Sequence, residues 1–200
     1  MIIRRIILSF IISAAFITNL TAFTLQDSIH TLPEFRGKKW DCSLNEVKEK
    51  ETAYYLQTFH GFGIEALSYK GKIAGLDARI DYDFKSKKLI EGSYRIISDD
   101  NFKEDYSTLF NFLGNLYGKP DLRSGISYES DSVWIKTTDY NMYIGPAIYW
   151  VFNNGFIGLI SQKYKEEITL IVLYVHNVTI EEYNSGKTVE LKNYKIIKYQ

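Results

Sequence analysis

The chain has 200 residues, enough for one domain or two small ones, and its 46% hydrophobic and 24% charged residues are those of an ordinary folded globule. It carries 24 basic and 24 acidic residues, a formal charge of zero, and losing Arg4 and Arg5 with a leader would leave 22 against 24, a net of −2. Nothing in that balance draws the chain to a polyanion, so no nucleic-acid partner is expected, and the single cysteine, Cys42, excludes an internal disulfide.

Met1 to Ala22 has the three parts of a secretory signal peptide. Arg4 and Arg5 give a positive start, Ile6 to Ile17 an apolar run, and Leu20-Thr21-Ala22 a small residue for cleavage. The run is short for a membrane span, which needs about 20 apolar residues. Leu20, third before the cut, departs from the small residue expected there, so an uncleaved anchor stays open and is the only route to a membrane. Either way the rest of the chain is expected outside the cytoplasm, periplasmic or secreted. Asn19-Leu-Thr and Asn177-Val-Thr match the glycan acceptor pattern, the first inside the leader.

Residues 23–39 show no sustained period and contain Pro33 and Gly37, which reads as an extended lead-in. A single domain is expected over 40–178. Ser43 and Glu46 have the spacing of a capping box, and Leu44 and Val47 share a face, which predicts a helix of about two turns over 43–51. Cys42 reads as a small packed thiol; the alternative is an intermolecular link or a lipid-attachment site, for which Lys39-Trp40-Asp41 lacks the apolar and small residues. Residues 52–63 are open between helix and strand. Ile64 to Tyr69 reads as a strand and Lys70-Gly71-Lys72 as a turn. Ala78, Ile80, Tyr82 and Phe84 alternate with Asp77, Arg79, Asp81 and Asp83, which predicts a strand with one apolar and one charged face. Lys85 to Lys88 turns the chain, and Ile90, Gly92, Tyr94 and Ile96 alternate back.

Residues 99–120 carry the strongest helical signal. Phe102, Tyr106, Leu109, Phe110, Leu113, Leu116 and Tyr117 fall on one face. Asn101 is the expected cap, with Glu104 reaching back, and Gly118 and Pro120 the stop. Beyond Pro120 only strands are expected: Gly125 to Tyr128, Val133 to Thr138, Met142 to Phe152 with Pro146 marking an edge, a bulge or a later start, Phe156 to Lys163, and the nearly all-apolar Ile168 to Val175 as a central strand. Asn153-Asn154-Gly155 predicts a hairpin whose Asn-Gly pair supplies positive φ. Residues 179–200 read as a tail or extra strand. The fold expected is α+β: an antiparallel sheet with one long and one short helix packed on one face.

The chemical grammar of an enzyme is missing. There is no nucleophile elbow, no phosphate-binding glycine loop and no His-Glu-x-x-His, and His30, His60 and His176 have no ligand partner at metal-like spacing. Neither catalytic residue, metal nor cofactor is therefore expected. Asp77, Asp81 and Asp83 read as a solvated, self-compensated sheet face, with calcium binding as the alternative. The 16% aromatic content, with 16 Tyr and 12 Phe, suits half-buried sheet surfaces or a binding face. Tyr140, Tyr143, Tyr149 and Trp150 are the residues picked out as a protein-binding patch.

Trp40-Asp41-Cys42-Ser43-Leu44-Asn45-Glu46-Val47, followed by a sheet and a helix ending Leu116-Tyr117-Gly118-Lys119-Pro120, resembles the small bacterial envelope proteins of the BamE-like and β-lactamase-inhibitor-like α+β superfamily. Ser43 and Val47 fit the helix start of that family, while Asp41 and Cys42 stand where it has Gly and Met. The resemblance implies helices layered on an antiparallel sheet, no catalysis, and protein binding through the sheet or its loops. The functional expectation is an exported, non-enzymatic protein that binds another envelope protein through an aromatic sheet face. The alternatives are a binder of a small apolar or lipid ligand in a gap lined by Tyr106, Phe110, Tyr82 and Tyr94, and a hydrolase with a site assembled from distant residues.

Overall fold

Ser43 and Glu46 start the first helix by the reciprocal bonds their spacing predicts. In the computed structural model, which describes residues 31–61, 63–98, 100–123, 135–136, 142–180 and 182, the Glu46 amide donates to Ser43 Oγ at 3.3 Å and the Ser43 amide to Glu46 Oε2 at 2.8 Å. Helix α1 spans Leu44–Lys50 and buries Val47. The open segment after it is a strand, β1 (Tyr54–Gly61), followed by β2 (Ile64–Ile73), β3 (Leu76–Lys85) and β4 (Lys88–Ile97). Helix α2 (Phe102–Tyr117) then leads to β5 (Leu122–Arg123), β6 (Ile135–Lys136), β7 (Met142–Phe152), β8 (Gly155–Tyr164) and β9 (Glu167–His176).

The nine strands among the described residues form one sheet, in the order β1-β2-β3-β4-β9-β8-β7-β5, with β6 also paired to β7. Every pairing among these strands is antiparallel. The chain lays down four strands as a meander, leaves through α2, and returns so that β9 closes against β4. That position makes β9 interior, as its apolar run predicts: from Leu170 to His176 every residue is buried. Phe102, Tyr106, Leu109 and Leu113 of α2 belong to one core cluster with Tyr82 and Tyr94 from the first meander and Leu159 and Val172 from the second. The two flanks of α2 are therefore one unit.

Several local expectations are corrected. The turn placed at Lys70-Gly71-Lys72 is strand; β2 runs on to Ile73, and Ala74 and Gly75, at φ +50° and +86°, make the hairpin instead. Gly71 packs rather than turns, because a Cβ there would lie 2.5 Å from Ile80 Cδ1. Asn101 caps α2 without a side-chain bond. The first turn is held instead through Asp105, whose carboxylate accepts from Ser98 Oγ at 2.6 Å. Of the seven residues on the apolar stripe, four are fully buried. Phe110 and Tyr117 are partly covered, and Leu116 is 56% exposed because it lies in the last turn. Residues 31–39, the described part of the lead-in expected over 23–39, fold over Arg36 and Gly37 into a tight turn with a Phe35↔Lys38 bridge, and bury Leu32 and Phe35 in the main core. Gly125 to Tyr128 and most of the tail lie outside the described residues.

The Asn153-Asn154-Gly155 hairpin forms between β7 and β8, but its positive φ sits on Gly155 alone, at +148°. Asn154 serves by bonding: its Oδ1 accepts from the Leu32 amide at 2.7 Å. A Cβ at Gly155 would stand 2.0 Å from the Val175 carbonyl oxygen. Gly155→Ala should therefore destabilise the fold by more than about 1 kcal/mol, read as a lowered denaturant midpoint with unchanged slope. Pro146 is accommodated by a bulge between Ile144 and Ala147, and its carbonyl accepts from Ser161 Oγ at 2.8 Å.

Candidate functional site

Alternation along a strand decides the fate of the predicted tyrosine patch. Tyr149 and Trp150 are neighbours in β7, so they point to opposite faces. Trp150, 1% exposed, lies in the main core and donates its indole N–H to the Gly118 carbonyl at 2.8 Å. Tyr149, 9% exposed, lies in a second cluster with Ala147, Phe156, Ile160, Ile171, Leu173, Val175 and Ile180. Tyr143 is half-buried, and Tyr140 lies outside the described residues. Tyr149 and Trp150 therefore do not share one exposed face.

On the main-core face Phe35 packs against Tyr82 and Tyr94, two of the four residues expected to line a ligand gap. Its ring stands 5.1 Å from Tyr82, 5.2 Å from Tyr94 and 5.1 Å from Tyr174, seated over Gly92. Beside it Glu51, the residue that ends α1, turns a carboxylate with 1% exposure inward. Arg36 grips it with two bonds, Nη2 to Oε1 at 2.9 Å and Nε to Oε2 at 3.0 Å. Lys38 Nζ stands 3.6 Å away, the Tyr82 hydroxyl donates to Oε2, and the Thr52 and Ala53 amides donate to Oε1 at 2.9 Å. Burial works against the charge, but the Arg36 and Tyr82 bonds and the Ala53 amide outweigh it and hold the carboxyl down to about 2. Arg36 and Lys38 bind residues 31–40 to the carboxylate at the end of α1, and Tyr82 binds that carboxylate to β3, so the knot joins three parts of the fold. Sequence reasoning missed it because Arg36, Lys38 and Glu51 share no period.

The opposite face of β3 was expected to be solvated. Asp77 is: it meets Lys72 at 3.3 Å with both side chains exposed. Asp81 and Asp83 are not, at 2% and 1% exposure. On the same face β9 carries the buried apolar Leu173 and Val175, across from Ser93 and Glu91. Asp81 is compensated as expected, by Arg79 at 2.8 Å, Arg95 at 3.1 Å and Ser68 Oγ at 2.6 Å. One step along, Asp83 lies directly across from Glu91, which is 3% exposed. Burial first, then Asp83, push the Glu91 carboxyl well above the ordinary range, against the pull of Arg95. The alternation of acidic residues in β3 was legible; the acid facing them from β4 was not, because the bulge between Asp83 and Phe84 shifts the register.

His60 is exposed and sits 3.2 Å from Glu65. His176 stacks on Trp40 at 5.2 Å and 10°, and burial lowers its pKa, with Asp41 opposing. His30 lies outside the described residues. Among the described residues no three His, Cys, Asp or Glu side chains are grouped to hold a metal ion, and no helix is long and apolar enough to cross a membrane.

One feature of the surface departs from ordinary practice. β1 is the outermost strand, paired among the described residues with β2 alone. Its eight residues, Tyr-Tyr-Leu-Gln-Thr-Phe-His-Gly, include no Lys, Glu, Asp or Pro, the residues that blunt sheet edges. Tyr54 is 74% and Tyr55 47% exposed, one on each face of the sheet, and Phe59 is 36% exposed. The aromatic run was visible in the sequence, but only the strand order shows that it lies on an edge.

No family model, curated protein or solved structure matches the chain.

Proposed function

We propose that the chain is an exported protein that works by binding rather than catalysis, and that a protein partner adds an extended segment along β1. The leader pattern of residues 1–22 supports export to the periplasm or beyond. The observation that carries the binding reading is the aromatic, uncharged outer strand, with Tyr54 74% and Tyr55 47% exposed. An unpaired strand edge offers a ladder of N–H and C=O groups for main-chain affinity, and alternating side chains offer selectivity. Tyrosine gives broad contact area at low entropic cost. Both helices are assigned to the one face that carries Phe35, since Val47 and Leu113 belong to the same cluster. The place of Phe35 between Tyr82, Tyr94 and Tyr174 weighs against the small-ligand alternative.

The test is photo-crosslinking from position 54 in an extract of the native envelope or medium. A discrete crosslinked protein is expected, and the double variant Tyr54→Lys, Tyr55→Lys should lower its yield by about tenfold without changing the unfolding midpoint, because edge lysines oppose strand addition. A folded double variant that captures the same protein equally well, or wild-type protein that captures none, would end this reading.

A further inference from the structure

We propose that His176 is an acid-sensitive latch: as the neutral ring it holds residues 31–40 against the end of β9, and taking up a proton loosens them. This proposal does not depend on the role given to β1. It rests on where the chain brings the imidazole. His176 is 9% exposed and stacks flat on Trp40, with ring centroids 5.2 Å apart at 10°. Its Nδ1 is buried with no hydrogen-bond partner. A neutral ring protonated at Nε2 leaves only an unused lone pair at that atom. The imidazolium puts a second N–H donor and a charge where nothing accepts them. Both ends of the 31–40 segment meet at this corner. Trp40 covers the ring and donates its indole N–H to the Pro33 carbonyl at 3.1 Å. Leu32 donates its amide to Asn154 Oδ1 at 2.7 Å, and the Asn154 carbonyl accepts the Asn177 amide at 2.8 Å. Gly155 lies directly across from His176, and a Cβ there would stand 3.1 Å from Leu32 Cδ2.

Among the described residues, few titratable groups surround the ring. In the 31–40 segment Arg36 and Lys38 turn to Glu51. The next residue, Asp41, is the charge among the described residues that acts on His176, and it favours the imidazolium. On β9 the same face carries Tyr174, whose hydroxyl meets that of Tyr117 at 3.1 Å. From β8 the residue opposite is Gly155, which offers no charge. On β4 Glu91 lies across from Val175, which belongs to the other face. Burial outweighs Asp41 and holds the ring below the ordinary 6.5. The face of Trp40 attracts a cation as well, so a reversed sign is the outcome that the experiment must exclude.

The sign follows from linkage. A ring whose pKa is lower folded than unfolded makes the native state bind fewer protons. Its contribution is therefore complete above the ordinary 6.5 and is lost as pH falls through the lowered value. His176→Phe keeps a flat ring against Trp40 and removes the titration. The experiment follows the His176 imidazole of the wild-type protein by NMR, its signal assigned by its loss in His176→Phe. Hydrogen exchange and denaturant unfolding of both proteins are measured between about pH 8 and pH 5. The imidazole midpoint should lie below 6.5. Over that range the folded-to-unfolded ratio of wild type, relative to the variant, should fall by about threefold or more. Protection of the Leu32 amide and the Trp40 indole N–H should fall by the same factor in wild type and stay level in the variant, once the intrinsic pH dependence of exchange is divided out. A midpoint at or above 6.5, or protection that falls equally in both proteins, overturns the proposal. Should the variant fail to fold, the wild-type protein decides, its signal assigned through contacts with Trp40. Loss of Leu32 protection that coincides with a midpoint below 6.5 upholds the latch, and any other result overturns it.

Discussion

Replacing Glu51 by glutamine should cost about 3 kcal/mol or more at neutral pH, because it strands the positive charges gathered around a buried carboxylate. Lys38 is 8% exposed and Arg36 25%, so neither can recover full hydration without unpicking the turn that carries Phe35. A neutral amide at position 51 keeps one acceptor for Arg36 and loses the bidentate grip. The pH dependence gives an independent signature. The carboxyl is depressed from the ordinary 4.5 to about 2, so its contribution is complete above the ordinary value and disappears as pH falls from about 4.5 towards 2. Wild type should lose stability through that window, and Glu51→Gln should not lose the same increment. The gap between the two unfolding curves therefore closes in acid. A gap that stays constant from pH 7 to the acid end would show that the knot is not electrostatic.

How far the sequence foretold this molecule depends on the range of the interaction concerned. Signals confined to a few residues were readable: the Ser43–Glu46 box, the stripe of α2, its stop at Gly118, the alternation of β3 and the apolar run of β9. Each is a period or a cap, and a period survives without knowledge of the partner. What could not be read is what strand order decides. Asp81 and Asp83 look solvated in a lone strand, and in the assembled sheet they are buried. Tyr149 and Trp150 look like a patch in one dimension, and alternation sends them to opposite sides of the sheet. Glycines misled for a related reason. Gly71 lies in a polar stretch that resembles a turn, but its missing Cβ makes room for Ile80 across the sheet. The same physics governs the edge proposed to bind. Tyr54 and Tyr55 are ordinary strand residues until the topology puts β1 outermost.

Gly92 and Phe35 offer the sharpest test of how residues 31–40 are locked to the sheet. A Cβ on Gly92 would stand 2.2 Å from Phe35 Cδ1, far inside contact distance. The backbone at Gly92 is not left-handed, so the glycine is required there for space and not for conformation. Tyr82, Tyr94 and Tyr174 surround the ring at 5.1 to 5.2 Å, which denies it a way to swing aside. Gly92→Ala alone should cost about 1–3 kcal/mol through overpacking. Phe35→Ala alone should cost about 3–5 kcal/mol through lost burial and the cavity left behind. The informative protein is the double variant. With the ring gone the new methyl enters vacated space, and alanine is also preferred to glycine within a strand by about 0.5–1 kcal/mol. The double variant should then be no less stable than Phe35→Ala, a coupling on the order of 1–3 kcal/mol in a double-mutant cycle. Strictly additive costs would mean that Phe35 does not rest on Gly92 in solution, and that residues 31–40 lie elsewhere than in the core.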